Sequence, residues 1–279
     1  MNPSTSVAAA IPAFQAEETV GDVVRGTLDL VAEVLVVDDG STDSTSSVAC
    51  TMGARVVRHR RNLGKGSALR TAFTDLLARG FSTVITLDAD GQHLPGEIPR
   101  LLEGARGGAD LVLGSRIHLF AEMHPLRRAS NRGSSWAISC IAGIAVLDAQ
   151  SGFRLYTRNL LERTGFPESR FEAESAVIVR AGRLGFRVTC VPVALGVVDG
   201  RATSHYRPLA DSLRIAGAVI RARLEGRCGA PGRDRGGAVE RSRAPGRSGL
   251  SGVITELAAE DFVSRIVDDT HLVNDEREG

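Results

Sequence analysis

Thr83-Val84-Ile85-Thr86-Leu87-Asp88-Ala89-Asp90-Gly91-Gln92-His93 opens on β-branched and apolar residues and closes on two carboxylates, an amide and a histidine. A short run that is apolar on both faces predicts a strand buried between two layers. The change of character after Leu87 predicts that the strand stops there and delivers Asp88, Asp90 and Gln92 to a loop. Two carboxylates one residue apart can hold a hard divalent cation, because Mg²⁺ prefers one or two carboxylates plus phosphate oxygens to an all-protein cage. Asp-x-Asp alone is common in surface turns. Its place directly after a buried run gives it weight here.

The same pattern repeats on either side. Strands are expected at Val7–Ile11, Val34–Val37, Arg55–Val57, Thr83–Leu87 and Asp110–Leu113. Helix-length segments lie between them at Glu17–Val31, Asp43–Met52, Gly66–Ala78 and Pro95–Gly104. Apolar strands joined by helices predict an α/β fold, its sheet parallel and covered on both faces. Right-handed crossovers then align the strand C-terminal ends along one edge, where ligands of open α/β sheets bind. Polar groups follow four strands: Pro12, Phe14 and Gln15, then Asp38-Asp39-Gly40-Ser41, then Asp88 to Gln92, then Gly114-Ser115-Arg116. Each alone is also an ordinary helix cap or turn.

The second half is less regular. Arg116 to Arg132 is polar and Arg-rich. An apolar helix is expected at Ser134–Leu147, a turn at Ser151-Gly152-Phe153-Arg154 entering a short strand, a helix at Glu172–Leu184, a strand at Arg187–Leu195 and a helix at Pro208–Leu224. From Arg227 to Gly249 the chain is rich in Arg, Gly, Pro and Ser, with six Arg against Asp234 and Glu240; it reads as a disordered linker. Residues 250–279 form an acidic tail with one weakly amphipathic stretch, Val253–Val267. The expected organisation is a catalytic domain over 1–226, the linker over 227–249 and the tail over 250–279.

Composition sets limits. Hydrophobic residues are 43% and charged residues 24% of the chain, ordinary for a globular protein. The net charge of +1 leaves no electrostatic footprint for nucleic acid. The basic residues are nearly all Arg, and Lys65 is the one lysine. Cys50, Cys140, Cys190 and Cys228 are far apart, without metal-ligand spacing, and fit reduced thiols in a cytoplasmic protein. No secretory signal and no membrane-spanning helix are expected.

The motifs together carry a resemblance. Ile11-Pro12-Ala13-Phe14, Val36 to Thr45 (VVDDGSTDST), Asn62 to Leu69 (NLGKGSAL), Leu87 to His93 (LDADGQH), Gly114-Ser115-Arg116 and Asp148 to Tyr156 (DAQSGFRLY) resemble the GT-A fold inverting glycosyltransferases of family 2. Within them the chain looks most like the dolichyl-phosphate mannose synthase and polyprenyl-phosphate glycosyltransferase group. The likeness runs in order from about Val7 to Leu224, and the Gln-Ser-Gly-Phe-Arg element points to that group. It implies a mixed, mostly parallel Rossmann-like sheet with helices on both faces.

The resemblance also implies roles. Pro12, Phe14 and Asp39 correspond to residues that hold the nucleotide, and Lys65 borders it. Asp88 faces ribose or diphosphate, with Ala89 beside it against the nucleotide sugar. Asp90 and Gln92 match metal ligands, so Mg²⁺ or Mn²⁺ is the expected cofactor. Arg116, Arg128, Arg132, Ser151 and Arg154 fall on the side of the acceptor phosphate, and Arg201, Ser204 and His205 resemble an acceptor-side loop. Asp88, Asp90, Arg116 and Arg154 are the residues expected to carry catalysis. One departure stands out: Gln15-Ala16 occupies the place of the usual Asn-Glu, and Glu17 is the candidate to stand in for the missing acid on the nucleotide.

Chemistry leads the same way. Inverting transfer to a hydroxyl requires a general base. A phosphate monoester, with its second pKa near ~6, is already largely a dianion at neutral pH and needs cationic positioning instead. Arg suits that task through its planar fork. The expected activity is transfer of a hexose from a nucleotide sugar of the GDP-mannose or UDP-glucose type to a lipid phosphate acceptor. A hydroxyl acceptor, a sugar-phosphate nucleotidyltransferase and a catalytically silent nucleotide-sugar-binding module are the alternatives. Arg127, Arg128 and Arg132 also fit a solvated helix face. Ser212–Leu224, basic and amphipathic, fits either a peripheral contact with the cytoplasmic membrane face or a helix packed on the sheet.

Overall fold

The computed structural model describes residues 7–116, 125–196 and 217–224. Its elements are β1 (Val7–Ala13), α1 (Val20–Leu28), β2 (Glu33–Asp38), α2 (Thr45–Thr51), β3 (Arg55–Arg58), α3 (Lys65–Ala78), β4 (Thr83–Thr86), a 3₁₀ turn (Pro95–Glu97) running into α4 (Ile98–Arg106), β5 (Leu111–Ser115), α5 (Pro125–Ala142), β6 (Arg154–Thr157), α6 (Arg158–Thr164), α7 (Glu172–Leu184) and β7 (Val188–Pro192). A further helix covers 217–224.

The strands form one sheet in the order β3-β2-β1-β4-β6-β5-β7. Alternation along each strand divides the apolar residues between its faces. Ala8, Ala10, Leu35, Val37, Val84, Leu111 and Leu113 pack under α3, α5, α6 and α7. Val7, Ala9, Ile11, Val34, Val36, Ile85 and Val112 pack under α1 and α4. Burial on both faces is why these strands read as continuous apolar runs. The alanines of β1 let α3 approach closely, where Ala68 and Ala72 are themselves fully or almost fully buried.

Among the described strands every pairing is parallel except those of β6, which runs antiparallel to both β4 and β5. Thr86 of β4 and Leu113 of β5 both pair with Arg154, the first residue of β6. The reversed strand therefore brings its beginning to the edge where its neighbours end. Ser151-Gly152-Phe153 thereby joins the strand-end loops that carry Asp88 and Arg116.

Several bounds differ from expectation. β1 continues to Ala13, so Pro12 lies inside the strand and not after it. α5 begins at Pro125 and stops at Ala142, where Gly143 takes φ of +71°. Proline suits a first helical position and a left-handed glycine suits the residue past the end. Arg128 and Arg132 therefore ride on α5. α6 was not expected; Thr157 caps its start, accepting from the Leu160 N–H, and Gly165 with φ of +61° ends it. α7 has the expected bounds. Of the expected helix Pro208–Leu224, 217–224 is helical; the rest, the linker and the acidic tail lie outside the described residues.

Candidate active site

The Asp38-Asp39 turn ties the donor side together. Asp38 is fully buried and accepts from the Ser41 N–H at 2.8 Å and from the Ser46 hydroxyl. Asp39 accepts from the Leu63 N–H at 2.9 Å and the Gly64 N–H at 2.7 Å, with His59 Nδ1 at 2.6 Å. His59 Nε2 in turn meets Thr71 Oγ1 at 3.0 Å. The Asp39 carboxylate thus holds the loop that leads into α3. Gly40, with φ of +79°, passes so near that loop that a Cβ would stand 2.5 Å from the Arg61 carbonyl carbon.

Gln15 and Glu17, at the place of the departure from Asn-Glu, both turn toward residues 41–44. Gln15 adopts φ of +52°, and its side-chain Oε1 accepts from the Thr42 N–H at 2.7 Å while its own N–H donates to Ser41 Oγ at 2.9 Å. Glu17 is exposed, and its Oε2 accepts from the Ser44 N–H at 2.8 Å just before α2. Both side chains brace the Ser41–Ser44 turn. Pro12 and Phe14 stand half-buried at the same strand end.

Lys65 opens α3 and reaches across to β4. Its Nζ lies 2.6 Å from Asp88 Oδ1 and 3.0 Å from Glu174 Oε2. Burial pushes the ammonium pKa down, but Asp88 and Glu174 together outweigh it, and the group stays charged above the ordinary lysine range. Burial likewise raises Asp88, and Lys65, then His93 and Arg116, overcome it and leave its pKa at about 2. The Asp88 N–H donates to His93 Nδ1 at 3.0 Å, so the neutral ring carries its proton on Nε2. His93 is buried and stacked on Phe153, and burial lowers its pKa against the opposing pull of Asp88. Thr86 Oγ1 donates to the Gly152 carbonyl at 2.7 Å and pins the β6 entry loop to this group.

Asp90 and Gln92 follow on the same loop, both half-buried. Asp90 Oδ1 accepts from the Gln92 N–H at 3.0 Å, which shapes the turn. Thr19 Oγ1 donates to the Ala89 carbonyl at 2.6 Å, and the Gly196 N–H to the Gln92 carbonyl at 2.9 Å. The loop is thus held from the α1 side and from the chain beyond β7.

On the acceptor side, Arg116 grips the fully buried Asp148 by Nε at 2.7 Å and Nη2 at 3.0 Å. Burial acts against both charges, but the paired hydrogen bonds and the attraction dominate. Asp148 falls below the usual carboxylate range, and Arg116 rises. Ser151 is buried, Arg128 half-buried and Arg132 exposed. Arg201 lies outside the described residues.

Arg154 stands elsewhere than expected. It is fully buried, and its guanidinium donates to the carbonyls of Ser151 at 2.6 Å, Glu174 at 2.5 Å and Ala149 at 2.8 Å. It frames the loop around Ser151 and Gly152 from inside and does not open toward an anion. Three residues escaped the sequence reading: His59, Asp148 and Glu174. Asp148 heads the Asp-Ala-Gln-Ser-Gly element, and Glu174 is an acid set in the buried stretch of α7. Both positions carried a signal.

The doubly covered, mostly parallel sheet with an acidic β4 end, a lysine opening α3 and an arginine–carboxylate pair beyond β5 matches the GT-A fold of glycosyltransferases. The chain belongs to glycosyl transferase family 2, which it matches over residues 8–165. It is 32% identical over 197 residues to the undecaprenyl-phosphate mannosyltransferase of Micrococcus luteus, covering 66% of this chain and 80% of that one. It is 30% identical over 218 residues to the dolichyl-phosphate hexose transferase of Haloferax volcanii, covering 77% and 92%. The crystal structure of glucosyl-3-phosphoglycerate synthase from Mycobacterium tuberculosis in complex with Mg²⁺ and UDP has a TM-score of 0.58 at 27% identity, covering 82% of this chain and 81% of that one. Among the described residues, no helix is long and apolar enough to cross a membrane.

Proposed function

We propose that this glycosyltransferase moves a hexose, mannose or glucose, from a nucleoside diphosphate sugar to the phosphate of a polyprenol or dolichol, with inversion at the anomeric carbon. The observation that carries the acceptor is the likeness to relatives named for undecaprenyl-phosphate and dolichyl-phosphate transfer, and the two paired carboxylates agree with it. Asp88 on Lys65, and Asp148 on Arg116, are each held ionised by a cation and are poor bases. A hydroxyl acceptor needs a base near its proton, whereas a phosphate dianion attacks without one. One acceptor oxygen would bond to the sugar C1 as the nucleoside diphosphate departs.

The same cluster fits a divalent cation, Mg²⁺ or Mn²⁺. Asp88 and Asp90 stand one residue apart on the loop after β4, and Asp90 with Gln92 is half-buried there. Among the described residues no three His, Cys, Asp or Glu side chains are grouped to hold a metal alone. Asp90 with Gln92 is a partial, hard-oxygen set of the kind that a diphosphate completes. When bound, the cation would neutralise charge gathering on the leaving diphosphate.

The chain's own residues do the rest. Lys65 offers a fixed positive charge on the donor side. Pro12, Phe14 and Glu17 border the nucleotide, and Asp39 shapes its loop. Arg116, with Arg128 and Arg132, meets the acceptor phosphate beside Ser151, and Arg154 keeps that loop in place. On the helix over 217–224, Ile220, Arg221, Arg223 and Leu224 are exposed, which suits contact with the cytoplasmic face of a membrane that holds the acceptor.

The test is direct. Purified protein with Mg²⁺ or Mn²⁺, a panel of sugar nucleotides and a short polyprenyl phosphate should yield a hexosyl phosphodiester, read by product mass. Transfer to hydroxyl acceptors alone would overturn the proposal.

A further inference from the structure

The two carboxylates fix only the tip of Lys65. Its stem is fixed by the first turn of α3, and that turn presses against backbone from outside the family-matched residues. A Cβ on Gly66 would stand 2.6 Å from the Glu168 carbonyl oxygen and 2.7 Å from that of Arg170; one on Gly64 would stand 2.5 Å from that of Ser169. The Ser67 N–H donates to the Ser169 carbonyl at 3.0 Å, and Arg70 Nη1 to the Pro167 carbonyl at 2.8 Å. Glycines at 64 and 66 allow the close approach, and residues 167–170 form the surface against which Lys65 is seated.

That surface has its own anchor. Both Glu168 oxygens accept from Arg180 of α7, one of them from Nη1 at 3.1 Å. Glu168 is 8% exposed and Arg180 7%. A buried ion pair contributes little net stability, because desolvation cancels much of its attraction. What it supplies is a fixed geometry between α7 and the 167–170 backbone. α7 also carries Glu174, so one helix holds Lys65 twice, through a side chain at its tip and through this backbone at its stem.

We propose that the Glu168–Arg180 ion pair is a positioning device for Lys65, seating residues 167–170 against Gly64-Lys65-Gly66 so that the ammonium meets Asp88 and the donor diphosphate. The proposal rests on the donor-side reading of Lys65. Neither Glu168 nor Arg180 touches substrate in this scheme.

Two variants separate positioning from stability. Arg180→Lys keeps the charge and loses the two-point fork. The double variant Glu168→Leu with Arg180→Met replaces the pair by apolar side chains, a change that often leaves stability intact. A misplacement of about 1 Å in a site can cost on the order of 100-fold. Both variants should therefore raise the donor KM by roughly 10- to 100-fold while the acceptor KM stays unchanged. A second readout is independent of activity. Lys65 is the sole lysine, so its acylation by an amine reagent can be followed by peptide mass, apart from the N-terminal amine. Labelling should be slow in the wild type, slower still with UDP or GDP plus Mg²⁺, and several-fold faster in both variants.

Variants that fold and keep the wild-type donor KM and labelling rate would overturn the proposal. So would a loss that raises the acceptor KM instead. A wild type that transfers no hexose and whose labelling ignores both nucleoside diphosphates would sink the functional reading, while the wild-type-to-variant labelling comparison would still judge the ion pair.

Discussion

Gly152 lies against the Asp88 carboxylate with no room for a methyl group: a Cβ there would stand 2.8 Å from Asp88 Oδ2 and 2.7 Å from Lys65 Nζ. Gly152→Ala should force the Lys65–Asp88 contact apart. The expected result is a fall in kcat/KM on the order of 100-fold, as for other misplacements of about 1 Å. Steady-state kinetics alongside a melting curve will check it; a variant that melts normally and transfers normally would show that the pair tolerates displacement.

Asp90→Asn should abolish divalent-dependent transfer and leave the fold intact. The amide oxygen can still accept from the Gln92 N–H, which Asp90 Oδ1 now does at 3.0 Å, so the turn survives. Titrating Mg²⁺ and Mn²⁺ against product formation, with circular dichroism as the fold control, reads both halves. Near-normal activity would remove Asp90 from the metal set.

Arg116 and Arg154 should fail differently. Arg116→Lys gives up one of two side-chain bonds to Asp148 and the planar fork, so acceptor efficiency should drop by about 10- to 100-fold, with slow hydrolysis of the sugar nucleotide preserved. Arg154→Lys loses bonds to buried carbonyls, and each charged hydrogen bond contributes roughly 1.5–3 kcal/mol. Its denaturation midpoint should therefore fall well below that of Arg116→Lys. Equal midpoints would contradict the framing role of Arg154.

The Arg116–Asp148 pair also sets an acid limit. Because the folded pKa of Asp148 lies below its ordinary 3.8, the contribution of this carboxylate is complete above that value and is lost as pH falls through the folded one. Asp148→Asn should be less stable than wild type at neutral pH, and the gap should narrow as pH drops below 3.8. Urea melts across that range will test it; a constant gap would mean that the charge of Asp148 does not matter to folding.

Much of this was legible in the residues. The first five strands and the loops after them were marked by apolar runs that end in Asp, Gly and Ser, and α7 by its periodicity. The direction of β6 was not: Arg154–Thr157 is four residues long, and a short strand reads alike either way. Partners such as Asp148 and Glu174 stayed hidden because their ion pairs span 32 and 109 positions, from Arg116 and from Lys65, and local pattern does not report on such distances. Arg154 misled because an arginine after Ser-Gly-Phe resembles an anion contact. Its neighbours Phe153, Leu155 and Tyr156, all fully buried, gave the opposite hint.

The reversed strand divides the molecule along a line that recombination can follow. β3-β2-β1-β4 lies on one side of the seam, the proposed donor side, and β6-β5-β7 on the other, the proposed acceptor side. The seam between them is a ladder of four backbone-paired positions, Thr83 to Thr86 against Thr157 to Arg154, which almost any pair of sequences can supply. A chimera that joins the first half of one relative to the second half of another inherits that ladder without redesign. What it must carry over deliberately are the contacts that reach from α3 across the seam, among them Lys65 with Glu174 and Arg70 with the Pro167 carbonyl, so an exchange between relatives is limited by these side chains and not by the sheet.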